Sequence, residues 1–251
     1  LYMNDLDFLR EHFQNDEAAL KKAIEAYENG TPAAYITGHR FFYRNDFLVK
    51  EGVLIPRPDT EFVVENAVSI LKKKNAPVYF ADLCTGSGCI GITIADEIKE
   101  SFGYLFDIGD APLEVSAKNA EKIGVADRCK VLYGDVFDKS LIGSKVGKKL
   151  DMIISNPPYI ETSRLELLDE ELSFEPRAAL DGGGDGLDFY RKIIADYGKY
   201  LVSGGGMLFE IGYDQGEDLR KLLKDFGYTA IEIRQDLAGL DRVALGRKGA
   251  E

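Results

Sequence analysis

The stretch VYFADLCTGSGCIGITIADEIKE, residues 78–100, sets the architecture of the chain. Its first six residues are largely apolar, as a strand covered on both faces requires. Glycines at 86, 88 and 91 then turn the chain, and CIGITIADEIKE carries helical periodicity. A strand that passes through a glycine turn straight into a helix is the opening unit of a doubly wound α/β sheet. The alternation continues downstream with strand GYLFDI, helix PLEVSAKNAEKIG and strands CKVLYGD and LDMIIS. After a long excursion come helix LDFYRKIIADYGKYL, strand GGMLFEIG, helix QGEDLRKLLKDFG and closing strands TAIEIRQD and DRVALGR. The pattern predicts a mostly parallel sheet, whose ligands sit beyond the carboxyl ends of the strands where strand order reverses.

Upstream, residues 4–28 read as one helix with an apolar stripe of Leu6, Leu9, Phe13, Leu20, Ile24 and Tyr27. NGTP at 29–32 ends it, and AAYITGHRFFYRNDFLVKEG alternates as a β-hairpin around RND. A helix is predicted from about Thr60 to Lys73, preceded by Pro58 and capped by Asp59 or Thr60. The expected organisation is an N-terminal helical segment at 1–30, a hairpin linker at 31–58 and a larger α/β domain at 59–251.

The 251 residues are 45% hydrophobic and 29% charged, an ordinary globular balance. No apolar run reaches membrane-spanning length, and the start lacks the basic-then-apolar pattern of a secretory signal. Cys84, Cys89 and Cys129 show no paired metal spacing, and His12 and His39 are the only histidines. A structural zinc site is therefore not expected, and reduced cytoplasmic thiols are the simpler reading. The net charge of −12 argues against a partner gripped by its phosphates. It favours a small molecule or a basic protein surface.

Four strand ends carry polar chemistry. Asp82 precedes the glycines, which satisfy G-x-G-x-x-G, and Asp107 ends the next strand at the spacing of a ribose-binding carboxylate. Two ligand classes meet these requirements, a dinucleotide and S-adenosylmethionine. An acid ahead of the glycines opposes a pyrophosphate but suits the amino-acid or sulfonium end of S-adenosylmethionine. Asp110, ahead of Pro112, is the expected cap of the following helix, which leaves Asp107 for a ligand. In YGDVF, Asp135 is placed to accept from an adenine amino group, with Val136 and Phe137 covering the ring; a loop-capping aspartate is the commoner meaning.

The fourth strand runs into Asn156, Pro157, Pro158 and Tyr159. Two prolines stiffen the lip, and Asn156 is pushed toward an extended conformation. Facing a methyl donor, the Asn156 oxygen and the Pro157 carbonyl can each accept one N–H of a planar NH2 group. Held at two points, the nitrogen lone pair is aimed at the methyl, and the accepting dipoles stabilise developing positive charge. Tyr159 can lie against the flat acceptor.

DLCTGSG, Asp107, GDVF and SNPPYI, in this order, resemble the class I S-adenosylmethionine-dependent methyltransferases that modify planar NH2 groups. PAAYITGHRFF, GVLIPRPDTE, FEPRAALDGGGDGLDFYR, FEIGYDQGE and DLAGLDRVALGR narrow the resemblance to the HemK-type release factor glutamine methyltransferases, from about Pro32 to Arg247. The resemblance implies a Rossmann-like sheet of seven strands with one antiparallel. It implies N5-methylation of the glutamine in the Gly-Gly-Gln loop of class 1 peptide chain release factors; a membrane partner is not expected from the sequence, and the charge balance leans against nucleic acid. By the same resemblance Asp82, Leu83, Cys84, Thr85, Gly86 and Gly88 contact S-adenosylmethionine, Asp107 holds its ribose, and Asp135 and Val136 flank adenine. Asn156, Pro157, Pro158 and Tyr159 bind the glutamine amide, with Asn156, Pro157 and Tyr159 the catalytic residues and Asn156 also in contact with the cofactor. The family's N-terminal helical domain grips the release factor; here about 28 residues precede the hairpin. Cys84 stands where the family has glycine, which a negative φ would tolerate, and DIGDAPL departs from the family's serine-containing turn. DGGGDG at 181–186 reads as a flexible substrate-side loop, and Arg57 and Glu61 as organisers of an interdomain hinge or a surface ion pair. The alternatives are a DNA or RNA amino-methyltransferase, a dinucleotide oxidoreductase, and an S-adenosylmethionine-binding protein without activity.

Overall fold

Alternating apolar positions on the strands point to opposite faces of a sheet, and each face is covered by its own helices. The computed structural model describes residues 4–74, 77–167 and 174–249. The ends of the expected first and last segments, 1–3 and 250–251, lie outside the described residues. The chain runs α1 (Asp5–His12), α2 (Glu17–Glu28), α3 (Ala33–Thr37), β1 (His39–Phe42), β2 (Asn45–Leu48), α4 (Pro58–Leu71), β3 (Val78–Leu83), α5 (Cys89–Glu97), β4 (Ser101–Asp107) and α6 (Asp110–Ile123). It continues through β5 (Cys129–Tyr133), α7 (Leu141–Lys145), β6 (Leu150–Ser155), α8 (Asp188–Tyr197), β7 (Leu201–Glu210), α9 (Gly216–Asp225), β8 (Tyr228–Gln235) and β9 (Asp241–Lys248).

The main sheet has seven strands in the order β5-β4-β3-β6-β7-β9-β8, with β9 antiparallel to both neighbours and the other pairs parallel. Phe80, Leu105, Met152, Ile154 and Leu208 pack with residues of α4, α5 and α6 on one face. Ala81, Phe106, Ile153, Met207 and Phe209 pack with α7, α8 and α9 on the other. The expected doubly wound, mostly parallel sheet with one antiparallel strand is the observed one. Its order reverses between β3 and β6.

The N-terminal segment differs from the single predicted helix. The Asp16 carboxylate accepts from the Ala19 N–H and starts α2 afresh, as Asn4 does for α1 through Asp7. The break folds the apolar stripe onto itself, so Leu9, Ala23 and Ala33 meet in a small core of their own. The start of the predicted hairpin, AAYIT, is instead the helical turn α3, closed by Gly38 at φ +78°. The hairpin proper, β1 and β2, is stitched to α6 by Asn119, which accepts from the Leu48 N–H at 2.7 Å and donates to its carbonyl at 3.0 Å.

Two predicted caps also differ. Pro58 is the first residue of α4, and neither Asp59 nor Thr60 caps it; the Thr60 hydroxyl is committed elsewhere. Asp110 lies inside α6 without capping it, and the Gly109 N–H is taken by Asp107 instead. Of the proposed hinge residues, Glu61 accepts from the Tyr43 N–H of the hairpin. Arg57 pairs with the buried Glu175, which also accepts from the Ile55 N–H, so this ion pair ties the hairpin exit to the far end of the excursion.

Candidate active site

The site grows from the order reversal. Leu83 and Ser155 are in register at the ends of β3 and β6, and the Ser155 hydroxyl donates to the Leu83 carbonyl at 2.6 Å. Beyond that stitch the glycine loop leaves on one side and Asn156-Pro157-Pro158-Tyr159 on the other, forming the crevice expected of such sheets.

Asp82 lies beneath the loop, fully buried. Its Oδ2 accepts from the Thr85 hydroxyl at 2.6 Å and from the Gly91 N–H at 3.0 Å, which pins the loop and the first turn of α5 together. Burial pushes its carboxyl up to about 7, only partly opposed by those two donors. Its Oδ1 has no hydrogen-bond partner among the described residues. Gly91 is required for this approach, because a Cβ there would meet Leu105 Cγ at 2.9 Å and Asp82 Oδ2 at 3.0 Å.

Cys84 adopts φ +59°, the left-handed region that favours glycine. The condition under which a side chain is readily tolerated there, a negative φ, is therefore not met. The loop must turn immediately after β3 for the Thr85 N–H to reach the Phe106 carbonyl, and that turn sets the sign of φ. Burial raises the Cys84 thiol well above its ordinary range, which keeps it protonated.

Asp107 accepts one N–H on each oxygen, from Gly86 on Oδ2 at 2.9 Å and from Gly109 on Oδ1 at 3.0 Å. Each oxygen keeps accepting capacity for a further donor. Burial raises its carboxyl above the usual range despite the two donors. Ile108 follows, 54% exposed, as an apolar surface at the rim. On β5's far end, Asp135 accepts from the Phe137 N–H at 2.8 Å, the geometry of a loop-capping aspartate. Val136 is only 5% exposed and packs inward, so the ring surface on this side belongs to Phe137, which meets Phe189 edge-on at 5.1 Å.

On the other wall Pro157 and Pro158 are buried, and Asn156 and Tyr159 are half-buried. The lip is held from behind. The Tyr159 carbonyl accepts from Gln215 Nε2 at 3.0 Å, and Ile160 exchanges backbone hydrogen bonds with Leu180 and Gly182 at 3.0 and 2.8 Å. The run 181–186, expected as a flexible loop, is thus a packed buttress: Gly182 has no room for a side chain against the backbone of Pro158 and Tyr159. In front of the lip lies a cavity of about 320 Å³ lined by Leu54, Arg57, Asp59, Asn156, Tyr159 and Glu210.

Sequence reasoning missed four contributors: Ile108, Thr60, Gln215 and Glu210. Glu210 carried a signal, since it ends β7 with an acid much as Asp107 ends β4. It is 2% exposed, and burial pushes it up to about 7. Thr60 donates to its Oε2 at 2.6 Å. Gln215 showed no such mark, because only folding brings α9's entry behind the lip.

Comparison with known proteins identifies the family of the chain. A family model described as Methyltransferase small domain matches residues 63–187. The release factor glutamine methyltransferase of Clostridium acetobutylicum is 38% identical over 94% of this chain and 83% of its own length. That of Neisseria gonorrhoeae is 42% identical over 87% and 77%. Among solved structures, the release-factor-specific protein-(glutamine-N5) methyltransferase of Alicyclobacillus acidocaldarius is 27% identical with a TM-score of 0.50, covering 81% of this chain and all of the other. With this identity sustained over most of both chains, the protein belongs to the release factor glutamine methyltransferase family.

Proposed function

We propose that this enzyme transfers a methyl group from S-adenosylmethionine to the side-chain amide nitrogen of the glutamine in the Gly-Gly-Gln loop of class 1 peptide chain release factors. The observation that carries the reading is a stiff, amide-bearing lip beside a side-chain-sized cavity, directly across the β3–β6 crevice from the glycine loop. Family membership supports it.

The residues present fit S-adenosylmethionine better than a dinucleotide. The N–H groups of Thr85, Gly86, Gly88 and Gly91 are committed within the protein, so these cannot cradle a pyrophosphate. Asp107 has capacity left for a ribose diol, Ile108 and Phe137 offer apolar surface for adenine, and Asp82 Oδ1 is a buried acceptor awaiting a donor. Leu83 to Gly88 and Asp135 complete that side of the site, while Val136 packs inward. Bound, the cofactor supplies an electrophilic methyl on a sulfonium.

The protein's contribution is positioning. Asn156 Oδ1 and the Pro157 carbonyl accept the two N–H groups of the glutamine amide, turning its lone pair toward the methyl. Their dipoles stabilise the charge that grows on nitrogen, and Tyr159 walls the cavity against the planar amide. The N-alkylated amide then loses its proton to water without a dedicated base. The segment α1–α3 and the hairpin form the side on which the release factor docks, and such a substrate places the enzyme in the cytoplasm.

The test is incubation with labelled S-adenosylmethionine and a class 1 release factor, in parallel with the factor whose loop glutamine is alanine. Label is expected on the first alone. Asn156→Ala is expected to lower kcat by about 10²–10³-fold, as loss of one charge-stabilising dipole does, with cofactor affinity retained. Equal labelling of both factors would refute the reading.

A further inference from the structure

An asparagine amide presents oxygen and NH2 ends of nearly the same shape, so the lip needs something to decide which end faces the acceptor. Asn156 Nδ2 lies 3.3 Å from the Thr60 hydroxyl oxygen. That hydroxyl has one hydrogen, and it is directed to Glu210 Oε2 at 2.6 Å, with Thr60 and Glu210 both buried. Its hydrogen committed, Thr60 can only accept from Asn156, which selects the NH2 end for Thr60 and leaves Oδ1 for the substrate. The Glu210 carboxyl is fixed in turn by its strand, whose carbonyl accepts from the Tyr190 hydroxyl at 2.8 Å.

We infer that Glu210 is a positioning residue that, as the carboxylate and through Thr60, sets the orientation of the Asn156 amide for catalysis. The inference rests on the glutamine-amide reading of the cavity and adds a regulator to it. A protonated Glu210 donates to Thr60 instead. The Thr60 hydrogen then points to Asn156, whose oxygen turns to accept it, and the NH2 end faces the NH2 of the substrate. Donor against donor is not a productive clamp. Apart from the O–H bond that a solvent proton forms on Glu210, only hydrogen bonds change in this reversal.

The groups facing Glu210 place the reversal near neutrality. Burial dominates and raises it to about 7; Thr60, Arg242 from β9 and Asn156 oppose that, and Asp59 at the start of α4 adds to it. Tyr159, Tyr190 on α8 and Cys89 on α5 also face this carboxyl, and burial keeps all three protonated through this range. Asp82 titrates in the same range, so Glu210 variants are required to separate the two.

The relay is read first in the protein alone. The side-chain NH2 resonances of Asn156, assigned by their loss in Asn156→Asp, are followed from pH 5.5 to 8.5. They are expected to shift with a midpoint near 7 in the native protein and in Thr60→Ser, and to stay flat in Glu210→Gln and Thr60→Val. In turnover, kcat is expected to fall about tenfold from pH 8 to pH 6 in the native protein, as ionisation of one group near 7 requires. In Glu210→Gln that ratio is expected to be near one, with KM for the release factor and cofactor affinity within about twofold of native. Asn156 resonances that do not titrate in the native protein, or an acid limb that persists in Glu210→Gln, would overturn the relay. The resonance experiment needs no substrate, so failure of methyl transfer to release factors would defeat the functional reading without obscuring this one.

Discussion

Gly182→Ala puts one methyl group behind the acceptor lip and nowhere else. A Cβ at 182 would sit 2.7 Å from Tyr159 Cα, 2.8 Å from Tyr159 C and 2.9 Å from the Pro158 oxygen. All three are backbone atoms, so no side chain can rotate out of the way. Carbon–carbon contacts rest near 3.5 Å or beyond, so the lip or the buttress must retreat by about 0.7 Å. Overpacking of this kind costs about 1–3 kcal/mol. For a chain of this length that is a fall in Tm of very roughly 2–12 °C. Displacement of a reacting group by about 1 Å costs about a hundredfold in rate, so a shift of about 0.7 Å predicts a 10- to 100-fold loss of kcat. The glycine loop stands on the other side of the Leu83–Ser155 stitch, so cofactor affinity by calorimetry is expected within about threefold of native. Gly184→Ala is the internal control, since a Cβ there meets nothing within 4 Å among the described residues. It is expected to change stability by less than about 0.5 kcal/mol and leave turnover alone. Native turnover in Gly182→Ala, or equal damage from both substitutions, would refute the buttress.

Cys84→Gly is expected to be more stable than Cys84→Ala by about 1 kcal/mol in urea unfolding, because both lose the thiol but only alanine keeps a Cβ at φ +59°. Equal stabilities would mean that the loop relaxes out of the left-handed region. Stability is also expected to depend on pH through Glu210. Its native pKa of about 7 exceeds the unfolded 4.5, so the folded state holds the proton more tightly. That contribution is complete below about 4.5 and is lost as pH rises through 7. Glu210→Gln should therefore reduce the decline in unfolding free energy from pH 5 to pH 8 by about 2 kcal/mol, a native-minus-variant difference in which other titrating groups cancel.

What was legible in the sequence was whatever depends on periodicity and on chain neighbours. The strand–glycine–helix unit at 78–100, the alternation after it and the polar strand ends at Asp82, Asp107, Asp135 and Asn156 all follow from local pattern, because sheet burial and turn sterics act over a few residues. These were enough for the seven-stranded sheet and for the crevice side on which chemistry gathers. Local pattern failed where two continuations were locally equivalent. Residues 4–28 support one helix or two, and only the meeting of Leu9, Ala23 and Ala33 selects the fold-back. Asp59, Thr60 and Asp110 all suit a helix cap, but Thr60 finds a better acceptor in Glu210, distant by 150 residues. The φ of Cys84 was set by the reach of Thr85 to β4. Tertiary structure alone placed Gly182 and Gln215 behind the lip and Thr60 and Glu210 beside Asn156. The physical reason is common to these cases. A hydrogen bond or a steric contact is decided by where two atoms lie in space, and residues far apart in the chain acquire that relation only when the sheet has closed around them.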